Sequence, residues 1–169
     1  STTGAASGVL SGCLNTASGN FSFVGGGSGN TASGIYSFVG GGFNNKSNSS
    51  CATVVGGVSN TSSGNLSFIG GGKSNTSSGT YSLVSGGRNN SVTNSDSTIG
   101  GGILNCVTTS QSTVSGGYCN WIITGRNSFI GGGGCNTTSG DFSTVSGGYR
   151  NTASATYTTI SGGFKNIVN

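Results

Sequence analysis

The sequence contains no histidine, no proline and no methionine, and its only acidic residues are Asp96 and Asp141. Without histidine a Ser–His–Asp triad is impossible. The two carboxylates lie three repeats of the pattern described below apart, too far to flank one scissile bond. The five cysteines have no zinc-site spacing. We therefore expect a protein that is not an enzyme and that holds no cofactor and no metal.

Charge is also scarce, because charged residues make up only 5% of the chain. The six basic residues are scattered along the sequence: Lys46, Lys73, Arg88, Arg126, Arg150 and Lys165. A nucleic-acid footprint requires basic residues that cluster, so we expect no nucleic-acid partner. No apolar run approaches the roughly 20 residues of a membrane span, so we expect no membrane insertion by this segment.

Glycine is abundant instead, and its 36 residues are placed in register with a repeat. An aliphatic residue recurs every fifteen positions, with one step of sixteen between Val114 and Ile130. An asparagine follows each aliphatic residue by six positions, and these form the Asn column: Asn15, Asn30, Asn45, Asn60, Asn75, Asn90, Asn105, Asn120, Asn136, Asn151 and Asn166. A constant period predicts a repeat architecture in which each position has a constant environment.

Each repeat has the features of one solenoid coil. In the segment "SFVGGGSGNTAS" the aromatic and β-branched residues predict a short strand, the glycines a turn and "NTAS" a second strand. A further glycine, as at Gly19, is expected to make a second turn, where Asn94 in one repeat favours left-handed backbone. The sequence therefore predicts an all-β parallel β-solenoid of about eleven 15-residue coils, stacked about 4.8 Å apart.

The Asn column is expected to form a hydrogen-bonded ladder between stacked coils. A second pattern is a covariation: small residues such as Ala17 precede large ones such as Phe21 by four positions, whereas Val92 precedes Asp96. Conservation of volume predicts that these pairs share one space. Residues 1–169 form one solenoid region without polar caps, so we expect a segment of a longer fibre.

The stretch "GGYRNTASATYTTISGGFKN", residues 147–166, resembles the head repeats of trimeric autotransporter adhesins, the YadA-like heads. The resemblance extends from about Val9 to Asn166, and related repeats occur in viral and phage tail-fibre-like proteins. It implies a left-handed β-roll, a side-by-side homotrimer, an extracellular place on a cell or virion surface, and attachment to a host protein or glycan. A homotrimer also agrees with the two largely apolar faces of the early repeats, because one coil can bury only one of them.

The sixteen-residue repeat, "SGGYCNWIITGRNSFI", is the one irregular coil and holds the only tryptophan. An extra residue within 121–124 is expected to form a strand bulge that re-aims nearby side chains. Trp121, Tyr118 and Arg126 are therefore candidates for surface recognition, while the favoured alternative is that Trp121 fills a subunit interface. Cys119 and Cys135 occupy equivalent positions in adjacent coils, and could be joined by a disulfide or remain free thiols.

Two functions stay open at this stage. The first is a structural or adhesive fibre segment, a rigid rod that presents a surface for attachment. The alternative is an ice-binding solenoid, which requires flat threonine columns. Thr98, Thr113, Thr144 and Thr159 share one such column, but Phe129 interrupts it.

Overall fold

The computed structural model describes all 169 residues as a stack of eleven coils built from 22 two-residue strands. The odd-numbered strands form one sheet, the valine sheet: β1 Gly8–Val9, β3 Phe23–Val24, β5 Phe38–Val39, β7 Thr53–Val54, β9 Phe68–Ile69, β11 Leu83–Val84, β13 Thr98–Ile99, β15 Thr113–Val114, β17 Phe129–Ile130, β19 Thr144–Val145 and β21 Thr159–Ile160. The even-numbered strands form the threonine sheet: β2 Thr16–Ala17, β4 Thr31–Ala32, β6 Lys46–Ser47, β8 Thr61–Ser62, β10 Thr76–Ser77, β12 Ser91–Val92, β14 Cys106–Val107, β16 Trp121–Ile122, β18 Thr137–Thr138, β20 Thr152–Ala153 and β22 Ile167–Val168. No helix long and apolar enough to cross a membrane is present.

All strands pair in parallel with the equivalent strand of the next coil, so the all-β solenoid prediction is confirmed. Val24 pairs with Val39, and Thr16 with Thr31, one repeat apart. At about 4.8 Å per coil, the eleven coils span about 50 Å. Between the two sheets a third line of contacts forms by isolated bridges, as between Lys73 and Arg88.

The core is narrow and is filled by one residue from each strand. Val24 and Ala17 point inward and are fully buried, whereas Phe23, the neighbour of Val24 in its strand, is 39% exposed. Ser22 is also buried, one position before Phe23. This inside–outside alternation is the one expected from strand geometry, and it leaves one apolar face of each early coil outside.

The Asn column is buried and is confirmed as a ladder, but its bonds run mainly to the backbone. The Asn30 side-chain oxygen accepts the N–H of Asn45 at 2.9 Å. The Asn30 side-chain NH₂ donates to the carbonyls of Gly26 and Gly42, both at 2.9 Å. Each buried amide is thereby hydrogen-bonded to backbone groups of its own coil and of the next coil. A polar side chain inside a core requires such partners.

In the first turn glycines adopt positive φ, as predicted, but the left-handed residue of the second turn is not the predicted one, and Asn94 does not have positive φ either. In the second turn positive φ occurs at Phe21 (57°), not at Gly19. Gly19 is instead needed for close approach, since a Cβ there would lie 2.0 Å from the carbonyl oxygen of Gly34. In all, 21 non-glycine residues have φ between 51° and 59°, two in most coils, including bulky residues such as Tyr36. Such a conformation is uncommon outside glycine, so stacking must hold these corners in place.

The covariation between Ala17 and Phe21 has another cause than a shared space. Ala17 is fully buried, whereas Phe21 is 52% exposed, so the volume interpretation is wrong. The residue at the position of Ala17 faces the buried serine of its own coil, as the 2.7 Å contact between the Ser77 and Ser82 hydroxyls shows.

A larger residue at the Ala17 position accompanies a different turn. In the coil of Ser77, the Ser82 N–H donates to the Gly79 carbonyl of the same coil at 3.3 Å. In the coil of Val92, the Ser97 hydroxyl donates to the carbonyl of Thr109 in the next coil at 2.7 Å. The two coils thus differ in the hydrogen bonds of the second turn, and this change of the turn accompanies both the larger core residue and the different residue exposed at the corner.

Candidate functional site

The sixteen-residue coil keeps the register of both sheets and absorbs its extra residue in the second turn. Trp121 pairs with Cys106 and Thr137, as predicted. The Ile123 N–H donates to the Thr138 carbonyl at 3.0 Å, as the Ser18 N–H donates to the Ala32 carbonyl in a regular coil. Since Gly125 packs under Gly140 as Gly19 packs under Gly34, the extra residue is Thr124. The predicted strand bulge is therefore wrong, because the insertion follows the strand.

The second turns of this region line an open polar groove of about 360 Å³. Its lining has one apolar side chain among seven residues: Asn94, Thr108, Thr109, Ser110, Ile123, Thr124 and Arg126. These residues come from three successive coils, and Arg126 supplies the only charge. A polar concavity with a single cation suits a polar or anionic ligand group better than an apolar one.

Hydrogen bonds fix most of the groove's polar side chains. The Thr108 hydroxyl donates to the Ile123 carbonyl at 2.6 Å, and the Thr124 hydroxyl donates to the Ser139 carbonyl at 2.8 Å. The Asn94 side-chain NH₂ donates to the Thr108 carbonyl. Because these two hydroxyls donate to carbonyls of the next coil, their oxygens are left as acceptors. Below the groove, Asp141 accepts the backbone N–H of Arg126 at 2.8 Å, which holds the turn that carries the guanidinium.

Only one of the three predicted recognition residues lines the groove. Arg126 lines the groove, whereas Trp121 and Tyr118 do not. Trp121 is 48% exposed, as expected from its register, and its side chain lies beside the Cys119 thiol. Tyr118 is 51% exposed and lies in the bridge column between Ile103 and Gly134.

The thiols of Cys119 and Cys135 lie close enough to interact. Burial raises the pKa of Cys119, the neighbouring Cys135 thiol raises it further, and a hydrogen bond from Trp121 acts in the opposite direction. All five cysteines are free thiols in this structure. A disulfide between Cys119 and Cys135 therefore stays a prediction.

A second candidate surface is the exposed apolar face of the valine sheet and its adjoining corner. Phe23 and Phe38 stack with ring centroids 6.1 Å apart, and Phe21 stacks on Tyr36 at 5.0 Å. Equivalent positions farther along carry Leu66, Phe68 and other large residues that are at least 38% exposed. Exposed apolar stacks of this kind indicate a contact surface.

The sequence signalled the irregular coil but not the composition of the groove. Asn94, Thr108 and Thr109 belong to regular fifteen-residue coils, so no spacing anomaly marks them. The available signal was the larger core residue in these coils, Val92 and Val107, which accompanies the change in the hydrogen bonds of the second turn. Comparison with known proteins gave no match: no family model fits the chain, and neither does any curated protein.

Proposed function

We propose that this chain is a structural and adhesive fibre segment, a left-handed β-roll that assembles side by side as a homotrimer. It belongs on the outside of a cell or virion, where it stiffens a fibre and presents a surface for attachment to a host protein or glycan. The observation that carries the proposal is the exposed aromatic face, on which Phe23, Phe38 and Phe68 are each 38–39% exposed although the core beneath them is closed.

The core supports a mechanical role because each coil is tied to both neighbours. The Asn column is internally bonded and the two sheets run uninterrupted through all eleven coils. Such a stack resists bending without any catalytic or ligand-binding interior. The outer aromatic face then gains from burial against other copies, since each large apolar side chain contributes about 1.5–3 kcal/mol when fully buried.

Molar mass in solution tests the assembly. We expect three times the 16.3 kDa of one chain by light scattering. The triple variant Phe23→Thr/Phe38→Thr/Phe68→Thr should dissociate, because threonine already occupies this position at Thr98 and Thr113 and fits the fold. A stable folded monomer of the unaltered chain would contradict the trimer.

The polar groove is the part of the rod best suited to recognition, and Arg126 is its anchor. We expect Arg126→Ser to weaken attachment to cells or glycans, because serine occupies the same position at Ser110 without a charge. Trp121→Thr is the companion variant. Threonine is chosen because Thr137, the partner of Trp121 in the next coil, already occupies this position. If Trp121→Thr lowers trimer stability while attachment per trimer is unchanged, Trp121 serves the interface and not recognition.

Ice binding is the less favoured function because the threonine columns are short. On the threonine sheet Lys46 stands between Thr31 and Thr61, and Trp121 adjoins Thr137. On the valine sheet Phe129 separates Thr113 from Thr144. Neither column holds more than two consecutive threonines, so no flat array forms. An assay of ice recrystallisation separates the two functions.

A further inference from the structure

We propose that one edge of the rod binds an acidic polysaccharide. Four of the six basic residues of the chain lie in two neighbouring columns at this edge, although they are dispersed in sequence. Lys73 and Arg88 are direct bridge partners in adjacent coils. Arg150 and Lys165 follow the bridge partners Tyr149 and Phe164, also in adjacent coils. We call these four residues the basic edge: Lys73, Arg88, Arg150 and Lys165.

No acidic residue of the protein balances the positive charge of the basic edge. Both acidic residues of the chain, Asp96 and Asp141, lie at the opposite corner in the second turn. All four basic side chains are exposed. Like charges placed side by side on neighbouring parallel strands repel each other. A chain with only six cations and many neutral positions nevertheless places two such pairs on one edge, which points to a partner that supplies negative charge.

Aromatic rings position the second pair. The Arg150 guanidinium carbon lies 5.1 Å from the Tyr149 ring centroid, and the Lys165 Nζ lies 4.9 Å from that of Phe164. The two rings stack on each other at 6.0 Å. Cation–π contacts of this length hold a charged group over an aromatic face, so both cations are oriented before any partner binds.

The spacing of the charges favours a polysaccharide over nucleic acid. From Lys73 to Lys165 the edge covers six bridge steps, or about 29 Å at about 4.8 Å each. The density of four cations over this length is far below the charge density of duplex DNA, which carries a charge about every 1.7 Å. A polysaccharide with a carboxylate on alternate sugars has the lower charge density, and the exposed Tyr118 ring in the same bridge column offers a flat face for a sugar.

The inference rests on the proposed function, attachment to a surface, and names the class of glycan that is bound. It does not require the groove or Arg126. The probe is a set of hyaluronan oligosaccharides, with neutral dextran and duplex DNA as comparisons, measured by fluorescence anisotropy at low and moderate salt. We expect hyaluronan to bind and dextran not to bind. Binding should weaken as salt rises, because it is carried by exposed charges.

Single-charge variants locate the binding. Arg88→Ser and Arg150→Ser should each weaken hyaluronan binding about fivefold or more, a loss of contacts to a charged group. Lys46→Thr removes the same charge away from the edge and should change binding less than about twofold. Serine and threonine occur at these positions in other coils, as at Ser28, Ser59 and Thr61, and circular dichroism confirms that the variants fold.

Three results would overturn the inference: no hyaluronan binding by the unaltered chain, equal losses in the edge and control variants, or tighter binding of duplex DNA than of hyaluronan. Trimer mass and cell attachment are separate readouts, so these results leave the proposed fibre function standing. Loss of the trimer with hyaluronan binding retained would instead overturn the assembly and keep the basic edge.

Discussion

The Asn75 side-chain oxygen accepts the backbone N–H of Asn90 in the next coil at 3.0 Å. The same amide donates to the carbonyls of Gly71 and Gly87 at 3.0 and 2.9 Å. One side chain thus closes the first turn of its own coil, joins the first turn of the next and fixes the register between them.

Replacing Asn75 with alanine should therefore be severe. The Asn90 N–H and the Gly71 carbonyl lose their partners inside the core, and each such loss costs about 1–3 kcal/mol. We expect the free energy of unfolding, measured by urea denaturation, to fall by about 3 kcal/mol. The control Asn65→Ser, at an exposed position where another coil has Ser50, should stay within about 0.5 kcal/mol. Equal effects of the two variants would contradict the structural role of the Asn column.

The hydroxyls of Ser22 and Ser37 are buried without a hydrogen-bond partner. They face Ala17 and Ala32, whereas Ser67 meets the hydroxyl of Ser62 at 2.6 Å. Ser22→Ala and Ser37→Ala should each raise the free energy of unfolding by about 1 kcal/mol, since a buried unpaired hydroxyl is removed. Alanine already occupies this position at Ala52.

Ser82→Ala is the matched control for the unpaired serines. Its hydroxyl bonds both Ser77 and the Gly79 carbonyl, at 2.7 and 2.6 Å. The same substitution there should lower the free energy of unfolding by about 1 kcal/mol. Stabilisation at Ser82, or a loss at Ser22, would show that these hydroxyls are paired differently.

Gly86 and Gly87 are neighbours with opposite requirements. A Cβ at Gly86 meets nothing within 4 Å, whereas a Cβ at Gly87, where φ is 89°, would lie 2.1 Å from the Gly102 carbonyl oxygen. Gly86→Ala should be neutral or stabilising by about 0.5 kcal/mol, through a less flexible unfolded chain. Gly87→Ala should cost more than about 3 kcal/mol, because backbone of the next coil must shift. Thermal unfolding of both variants tests this difference. Similar melting temperatures would contradict the close approach of the next coil to Gly87.

Burial raises the pKa of Cys106 above its ordinary value of 9.0. The Cys106 thiolate, which is the reactive species, therefore forms only at higher pH. Cys106 is also half-buried, whereas Cys51 is exposed to the reagent. At pH 8–9, iodoacetamide should modify Cys51 faster than Cys106, as followed by peptide mass spectrometry. Equal rates across this pH range would contradict the burial of Cys106.

The raised pKa of Cys106 also determines how the free energy of unfolding changes with pH. Folded Cys106 holds its proton more tightly than the unfolded chain does, so its contribution is complete below pH 9 and is lost as pH rises above it. Cys106→Ser, with the residue of Ser91 in the same column, should reduce the fall in stability at high pH. An unchanged pH profile would mean that Cys106 does not contribute to this fall.

The repeat made most of the fold predictable. A fifteen-residue period with a fixed aliphatic position is enough to give the number of coils, the inward direction of Val24 and the register of Trp121 across an irregular coil. The Asn column was predictable for the same reason, but its partners were not, because a ladder between amides and a ladder to backbone carbonyls require the same sequence.

The turns were less predictable because several of their residues break local preference. Phe21 and Tyr36 adopt left-handed backbone that their side chains disfavour, and only the stacked neighbours hold them there. Pairing of Lys73 with Arg88 is visible only when the sequence is folded into columns, since their order along the chain looks random. The groove lies where the second turn changes its hydrogen bonds, in the coils of Val92 and Val107, and no motif encodes this change.

The left-handed corners have a consequence for how such a rod can change over evolutionary time. The backbone there is held by stacking, and the side chains of Arg150, Gln111 and Tyr157 at these corners all point outward with φ of 59°. A mutation at the corner directly before the Asn column, such as that of Arg150, thus alters the exterior while the core and the Asn column stay as they are. At the second turn the exposed residue varies together with the buried residue at the Ala17 position, so exterior and core change there as a pair. Attachment specificity can therefore drift from coil to coil mainly at the first of these corners, and a duplicated coil arrives with one surface position already free to vary.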